Sequence, residues 1–308
     1  MTEKIRLIAV VGPTASGKTE LGAKIAKALG GEVVSADSMQ IYKGMEIASA
    51  APTAEEMLGV PHHLISVIPP DRRFTVADYI AAADREIADI HAAGKQPVIV
   101  GGTGLYVENL INHTVFKEES GTDEIRRKLK EAAETLGTDA LFERLKKIDP
   151  ESAQKIESRD IRRIIRALEI YEIHGKPKSV LDREAVSAPS PYSAVYIGLF
   201  WNDREKLRRR IDRRVDLMME NGLLAEARKS FLSPRGATAA QAIGHKEFFP
   251  FFRGDATLEE CVERLKISTR QYAKRQMTWW RKNPEINLIA ADETEDVFAA
   301  AMKIIENS

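Results

Sequence analysis

The sequence predicts an α/β fold with a parallel sheet, helices on both faces of that sheet, and an all-helical insertion domain. Short β-branched runs alternate with helical patterns, which favours parallel strands joined by crossover helices. Several of these runs are continuously apolar, as in strands covered on both sides. We therefore expect a core made of residues 1–112 and 189–308, with an insertion domain at residues 113–188.

The core elements follow from local patterns. The predicted strands are residues 5–11, 32–36, 96–100, 195–200 and 286–290. After the first strand, apolar residues recur at every fourth position from Leu21, and Gly30 ends that helix. A second helix begins at Thr75 and ends at Gly94, because its apolar residues share one side. Helical sequence also fills residues 203–281 before the last strand.

The insertion contains no convincing strand pattern. Thr122 and two following acids mark a helix start, since acids are favoured near the helix N-terminus. Charged helical sequence then continues to Gly175-Lys176-Pro177, and a Ser- and Pro-rich linker at residues 187–191 returns the chain to the sheet.

One segment between the first strand and the first helix fits the pattern G-x-x-x-x-G-K-[ST] at every fixed position. It consists of Gly12, Pro13, Thr14, Ala15, Ser16, Gly17, Lys18 and Thr19. Glycines let backbone N–H groups point at phosphate oxygens, and the helix N-terminus adds its positive dipole end. Lys18 supplies a charge and the Thr19 hydroxyl can bind Mg²⁺. The motif predicts a sheet like that of P-loop NTPases and a phosphate site, without saying whose phosphates bind.

Asp37 is the nearest carboxylate at a strand end. The strand at residues 96–100 runs into Gly101-Gly102-Thr103-Gly104 with no acid, unlike the strands of ordinary nucleotide hydrolases. Ligands of open α/β sheets bind at the carboxyl ends of the strands, so Asp37 should face the P-loop. It could bind magnesium, accept a proton, or simply cap the turn that follows.

Charge and composition limit the other possibilities. Lys+Arg and Asp+Glu are both 46, so the net charge of zero says nothing about partners. The single cysteine, Cys261, excludes internal disulfides and fits a reducing compartment. No apolar run approaches the ~20 residues that span a bilayer, and no secretory signal is present. We expect a cytoplasmic monomer that does not bind a membrane.

Three segments are nevertheless locally basic. They are residues 159–166, 204–214 and 264–282, and the last contains seven positive charges and no acid. Lys266, Arg270 and Lys274 recur at every fourth position and should form one phosphate-neutralising face. Tyr272 and the pair Trp279-Trp280 could stack on bases, although the tryptophans fit a protein core equally well. Solvated helix faces are the plainer interpretation of each segment alone.

Two smaller features have plain interpretations. His62 and His63 are adjacent, so they project differently, and no third metal-ligand motif is near them. We expect them to serve core or loop packing. Cys261 should be a small apolar residue on a helix.

Five motifs in one order give a more specific prediction. GPTASGKT, SADSMQIYKGMEI, PVIVGGTGLY, QAIGHKE and KRQMTWWR extend over nearly the whole chain, which thereby resembles the bacterial tRNA dimethylallyltransferases. The resemblance implies transfer of a dimethylallyl group from its diphosphate to the exocyclic amine of the adenosine 3′ of the anticodon. The implied partners are dimethylallyl diphosphate and the tRNA anticodon stem-loop, with Mg²⁺ as cofactor.

The resemblance also implies roles for individual residues. It assigns the diphosphate to the P-loop, especially residues 14–19, and the role of general base to Asp37. Lys18, Thr19, Thr103 and Arg210 complete the implied catalytic set, and Mg²⁺ would bind Thr19 and Asp37. The implied RNA-contacting residues are Asp37, Ser38, Met39, Gln40, Thr103, Arg126, Arg162, Arg163, Arg166, Gln241, Lys274, Arg275, Gln276 and Arg281.

Two positions depart from the family pattern. Ala51 stands where the family commonly has lysine, and His245 stands where tyrosine is usual. Three alternatives remain open from the residues. The chain could be a P-loop kinase of small molecules or nucleosides, an enzyme that prenylates free adenine nucleotides, or an RNA-binding switch without catalysis.

Overall fold

The computed structural model describes residues 4–116, 122–185, 189–233, 236 and 238–308, and their strands form one parallel sheet. The predicted linker at residues 187–191 therefore lies partly outside the described residues. The strands are β1 (Ile5–Val11), β2 (Glu32–Ser35), β3 (His62–His63), β4 (Pro97–Gly101), β5 (Tyr192–Phe200) and β6 (Ile286–Ala290). Their order across the sheet is β3-β2-β4-β1-β5-β6. The P-loop strand β1 thus lies in the interior of the sheet, between β4 and β5, so strands flank its carboxyl end on both sides.

The helices in chain order are α1 (Lys18–Ala28), α2 (Val76–Ala92), α3 (Gly104–Ile111), α4 (Thr122–Leu136), α5 (Thr138–Ile148), α6 (Pro150–Lys155), α7 (Ile161–His174), α8 (Lys178–Ala185), α9 (Arg204–Glu220), α10 (Leu223–Leu232), α11 (Phe249–Arg253), α12 (Leu258–Trp280) and α13 (Val297–Glu306). Short 3-10 helices occupy Ala239–Gln241 and Lys246–Phe248. None of the described helices is both long enough and apolar enough to cross a membrane.

Both faces of the sheet are buried. Along β1, Leu7 and Val11 pack into one apolar cluster with residues of α2 and α3, while Ile8 and Val10 pack into another with α1 and α13. This alternation is the period of two that strand geometry imposes. The predicted fold class, a parallel sheet covered on both sides with a helical insertion, is confirmed.

The five predicted strands are present; two have the predicted ends, and the ends of the other three differ by one to three residues. The short edge strand β3 was not predicted, and His62 and His63 are half-buried on this strand instead of lying in the core or in a loop. The His63 ring lies 2.6 Å from a carboxylate oxygen of Glu32 and 2.8 Å from one of Glu86. A strand of two residues is too short to show an alternating pattern. Within the described residues, no group of histidines, cysteines or acids has the arrangement of a metal site.

Helix α2 begins where the sequence predicts. The Thr75 side chain accepts a hydrogen bond from the Asp78 backbone, and the Asp78 side chain accepts one from the Thr75 backbone. This reciprocal capping satisfies two N–H groups that the helix itself cannot pair.

The chain divides into two compact units, Met1–Asn112 with Ser190–Ser308, and His113–Pro189. The described part of the second unit contains helices α4 to α8 and no strand, as predicted for the insertion. Its core includes Leu129, Leu145 and Leu168. The expectation that helical structure ends at Gly175 is wrong, because α8 follows after Pro177.

Asp149 joins two helices of the second unit. Its carboxylate is 2% exposed and accepts hydrogen bonds from the backbone and hydroxyl of Ser152 and of Ser179, at 2.6–3.0 Å. Burial alone would raise the pKa of Asp149, but these hydrogen bonds outweigh it and hold the pKa below its usual value. A charged, fully hydrogen-bonded carboxylate therefore fixes α6 against α8.

Candidate active site

The P-loop connects β1 to α1 in a strained backbone conformation. Gly17, immediately before α1, has φ = 96°, which a residue without Cβ adopts at little cost. Ala15 also has a positive φ, 62°, although it carries a side chain. Such conformations persist only where the surrounding structure holds them, and they are concentrated at functional sites. Within the described residues, the buried Ser16 hydroxyl has no hydrogen-bond partner. The loop thus presents a polar group that the protein itself leaves unsatisfied.

Asp37 follows β2 and faces the P-loop, as the strand-end rule predicts. It lines one cavity together with Lys18, Thr19 and Gln40, of about 310 Å³ counted with its open mouth. Its Oδ1 also accepts hydrogen bonds from the backbone of Met39 at 2.9 Å and, more weakly, of Gln40 at 3.4 Å. Asp37 therefore caps the turn after β2 and places a carboxylate in the cavity at the same time.

Lys18 is electrostatically unusual. Burial lowers its pKa to about 8, the nearby Arg214 adds to this effect, and the negative charge of Asp37 opposes it. Its Nζ donates to the carbonyl of Pro13 at 3.2 Å, so the side chain folds back over the loop. An anion bound beside Lys18 would favour its charged form and raise this pKa.

Two arginines of α9 contact the loops around the cavity. The guanidinium of Arg210 donates to the Ala15 carbonyl at 3.1 Å and lies 4.9 Å from the centre of the Trp201 ring. Arg214 donates to the Ala50 carbonyl at 3.4 Å, and burial lowers its pKa while Glu56 and Asp37 oppose the change. The sequence motifs assign no site role to Arg214. Its spacing of four residues from Arg210 places it on the same helix face and was the available signal.

Thr103 and Gln276 connect three chain segments beside the cavity. The Thr103 hydroxyl accepts a hydrogen bond from the Ser38 backbone at 3.1 Å. Gln276 accepts from the Thr14 backbone at 2.8 Å and donates to the Gly102 carbonyl at 3.0 Å. Tyr272 hydrogen-bonds to Thr103 and Gln276, and burial, followed by the charge of Asp37, raises its pKa. Tyr272 is expected to stack on a nucleobase, but its ring is largely buried beside Asp37, the candidate general base.

The predicted basic face of α12 is largely neutralised, which corrects the expectation of an unbalanced stripe. Lys266 pairs with Asp216 at 2.6 Å, and Arg270 pairs with Asp212 at 2.8 Å. Both acids belong to α9, so they lie about 50 residues away in sequence and were invisible to a local count of charges. Of the three stripe residues, Lys274 alone remains exposed on α12.

The other predicted RNA-contacting residues are distributed over both units. In the first unit, Arg275 and Arg281 are exposed on or next to α12, and Gln241 is exposed in a 3-10 helix. In the second unit, Arg126 and Arg166 share the buried carboxylate of Glu169, at 2.9 and 3.0 Å. The other two, Arg162 and Arg163, are exposed at the start of α7. Their contacts with RNA stay a prediction.

The two tryptophans at the end of α12, for which base stacking and core packing were both open, differ in burial. Trp280 is 1% exposed and belongs to the core, whereas Trp279 is 36% exposed. Cys261 is fully buried in an apolar cluster, as predicted.

Comparison with known proteins identifies the family to which this arrangement belongs. A model of the IPP transferase family matches residues 40–283. The tRNA dimethylallyltransferase of Thermoanaerobacter sp. (strain X514) is 44% identical over 305 residues, which cover 98% of this chain and 97% of that protein. The chain belongs to the IPP transferase family. A tRNA dimethylallyltransferase from Halalkalibacterium halodurans is 45% identical over 284 residues.

Solved structures agree with the family in fold as well. The tRNA isopentenylpyrophosphate transferase of Bacillus halodurans has a TM-score of 0.73 and 42% identity, and the match covers 98% of this chain and 96% of that one. A eukaryotic dimethylallyltransferase acting on tRNA has a TM-score of 0.78 and 31% identity, with 98% of this chain and 79% of that one covered. The IPP transferase fold therefore includes the sheet and P-loop described above.

The two departures from the family pattern have structural settings here. The His245 ring is buried, and its Nε2 lies 2.7 Å from a carboxylate oxygen of Glu226. Glu226 also accepts hydrogen bonds from the backbone of Ile47 and Ala48, both at 2.9 Å. Ala51 lies three residues after Ala48. Through Glu226, the histidine therefore helps to hold the loop at Ile47 and Ala48, which leads to the cavity.

The residues at the cavity fit a magnesium ion that is bound both by protein side chains and by a substrate phosphate. Thr19 and Asp37 bring oxygen donors to one cavity, and the unsatisfied Ser16 hydroxyl is on the same loop. Magnesium in proteins usually takes one or two such side-chain ligands and completes its shell with water and substrate phosphates.

Proposed function

We propose that this protein transfers a dimethylallyl group from dimethylallyl diphosphate to the exocyclic amine of the adenosine 3′ of the anticodon in certain tRNAs, releasing diphosphate. The observation that carries the proposal is the cavity in which Asp37 faces Lys18 and Thr19 in a chain of the IPP transferase family. The relatives named tRNA dimethylallyltransferase support the substrate pair. We further propose that the protein acts in the cytoplasm as a monomer.

The diphosphate would bind at the P-loop. Backbone N–H groups at the start of α1, Lys18 and the two α9 arginines would surround the diphosphate, on which negative charge increases as the allylic C–O bond breaks. A bound Mg²⁺, held by Thr19 and Asp37, would supply further positive charge to the leaving group. The two arginines are already held at the loops by their hydrogen bonds to Ala15 and Ala50.

The adenine amine is a weak nucleophile, because its lone pair is delocalised into the ring. In the proposed step its nitrogen forms a bond to the allylic C1, the C1–O bond breaks, and the electron pair leaves with the diphosphate. The amine proton passes to the Asp37 carboxylate. A base within hydrogen-bond reach contributes ~10²–10⁴-fold to such a step.

The RNA would use polar and basic residues of both units. Arg162, Arg163, Gln241, Lys274, Arg275 and Arg281 are exposed, and Arg126 and Arg166 are half-buried beside Glu169. The segment of residues 37–40 and Thr103 would lie near the target base. The adenosine must leave the stack of the anticodon loop to reach the cavity.

The decisive assay combines the protein, Mg²⁺, radiolabelled dimethylallyl diphosphate and unmodified tRNA with consecutive adenosines after the anticodon. We expect label in the RNA and none when that adenosine is replaced by guanosine. A parallel reaction with labelled ATP and nucleosides tests the kinase alternative, and one with free AMP tests prenylation of nucleotides. Phosphate transfer to a nucleoside, or prenyl transfer to AMP without label in tRNA, would refute the proposal.

A further inference from the structure

Gln276 is a buried polar residue that directly follows two exposed cations on α12. It is 5% exposed, whereas its neighbours on α12, Lys274 and Arg275, are exposed. A buried amide costs free energy unless its donors and acceptors are paired. The environment of this side chain therefore shows what the amide is for.

Both ends of the amide are bound to backbone at the phosphate site. The Oε1 atom accepts from the Thr14 N–H at 2.8 Å, and Nε2 donates to the Gly102 carbonyl at 3.0 Å. Thr14 belongs to the P-loop after β1, and Gly102 belongs to the turn after β4. One side chain thus joins two loops of neighbouring strands, and the Thr14 N–H is already occupied within the protein.

Gly102 shows that the amide and the turn are closely fitted. A Cβ added to Gly102 would lie 2.1 Å from Nε2 of Gln276, a distance that no real contact reaches. A side chain at residue 102 would therefore push the amide of Gln276 out of this position. Gln271 lies on the same helix but is exposed, so the position of the amide and not its chemistry distinguishes the two residues.

We propose that Gln276 is a positioning residue of the phosphate site, which holds the amino end of the P-loop against the turn after β4. It acts through Thr14 and Gly102 and touches neither the reacting atoms nor the RNA. This assignment differs from the RNA-contacting role that the family resemblance implies for Gln276. It rests on the proposed function only for the identity of the anion, a diphosphate.

The test measures anion binding without RNA. Inorganic pyrophosphate with Mg²⁺ is titrated by calorimetry into the full chain carrying Gln276→Met, which preserves length and shape but cannot hydrogen-bond. We expect affinity to fall by about tenfold, the equivalent of one lost hydrogen bond, while Gln271→Met stays within about twofold of wild type. Binding of an anticodon stem-loop RNA, measured separately without pyrophosphate, should change by less than about threefold in both variants.

Gly102→Ala approaches the same contact from the other side. It should weaken pyrophosphate binding by about tenfold in the wild type but have little further effect in a Gln276→Ala background, because both the hydrogen bonds and the side-chain atoms that the new Cβ would meet are already absent there. A purely structural role would lower the melting temperature of the variants and leave the pyrophosphate affinity of the folded protein unchanged. That outcome, or weaker RNA binding with unchanged pyrophosphate binding, would overturn the proposal. Because no prenyl transfer is measured, failure of the proposed reaction would leave this result interpretable.

Discussion

Replacing Asp37 by asparagine separates its two roles, because the amide keeps the Oδ1 oxygen and loses the basic carboxylate. The hydrogen bonds from the Met39 and Gln40 backbone can persist, so the turn after β2 should survive. The loss of a general base of ~10²–10⁴-fold corresponds to about 2.7–5.4 kcal/mol of activation free energy. We expect kcat for dimethylallyl transfer to fall by that factor, with the affinity for tRNA within a few-fold of wild type.

The assay is single-turnover transfer with saturating tRNA and dimethylallyl diphosphate at pH 7, where Lys18, with a pKa of about 8, stays protonated. Asp37→Ala is the matched control, since it removes the turn contacts as well. It should lower the melting temperature by about 2–4 °C more than Asp37→Asn, as expected for roughly 1 kcal/mol in a unit of this size. A rate for Asp37→Asn within tenfold of wild type would refute the role of Asp37 as base.

Three further predictions follow from buried charges. Binding of Mg²⁺-pyrophosphate at pH 8 should take up about half a proton, since Lys18 is half-protonated when free and fully protonated beside the anion; calorimetry in two buffers of different ionisation enthalpy measures this. Asp149→Ala should destabilise the second unit by about 3 kcal/mol in urea unfolding, because four hydrogen bonds to a buried carboxylate are lost. Glu226→Ala should lower the free energy of unfolding, measured by calorimetry, by about 2–4 kcal/mol, because His245 and two backbone N–H groups lose their acceptor.

Each of these predictions has a contradicting outcome. Equal proton uptake in wild type and Lys18→Met would show that another group titrates. The contribution of Asp149 is complete above its ordinary pKa of 3.8 and is lost as pH falls through the lowered folded pKa. A difference between wild type and Asp149→Ala that stays constant down to pH 2 would contradict this origin. For Glu226, the surface variant Glu259→Ala is the control. An equal loss of unfolding free energy in both variants would show that the contacts of Glu226 with His245 and the Ile47–Ala48 backbone do not stabilise the protein.

The parts of the site that sequence could predict are those with local signals. The P-loop pattern lies between an apolar strand and an amphipathic helix, and Asp37 follows from its place at a strand end. Both therefore depend on neighbours within a few residues. The edge strand β3 carries no such signal, because two residues do not establish a period.

What sequence could not show depends on partners distant in the chain. The acids that pair with Lys266 and Arg270 come from α9, so a count within residues 264–282 finds an excess of charge that the fold cancels. Gln276 was grouped with its basic neighbours for the same reason. Its spacing from the buried Ala273 and Trp280, three and four residues away, shows in retrospect that it belongs to the inner face of α12.

The charged end of the sheet at β3 has a consequence for self-association. Outer strands expose unpaired backbone groups that can template pairing with another chain, and proteins protect them with short strands and charges. Here the edge strand β3 is two residues long. Ion pairs surround it, and they are formed by His63, Glu32, Glu86 and Lys95. A second molecule would find little backbone to pair with and would have to strip these charges of their partners. The sheet therefore ends on this side in a form that resists edge-to-edge aggregation.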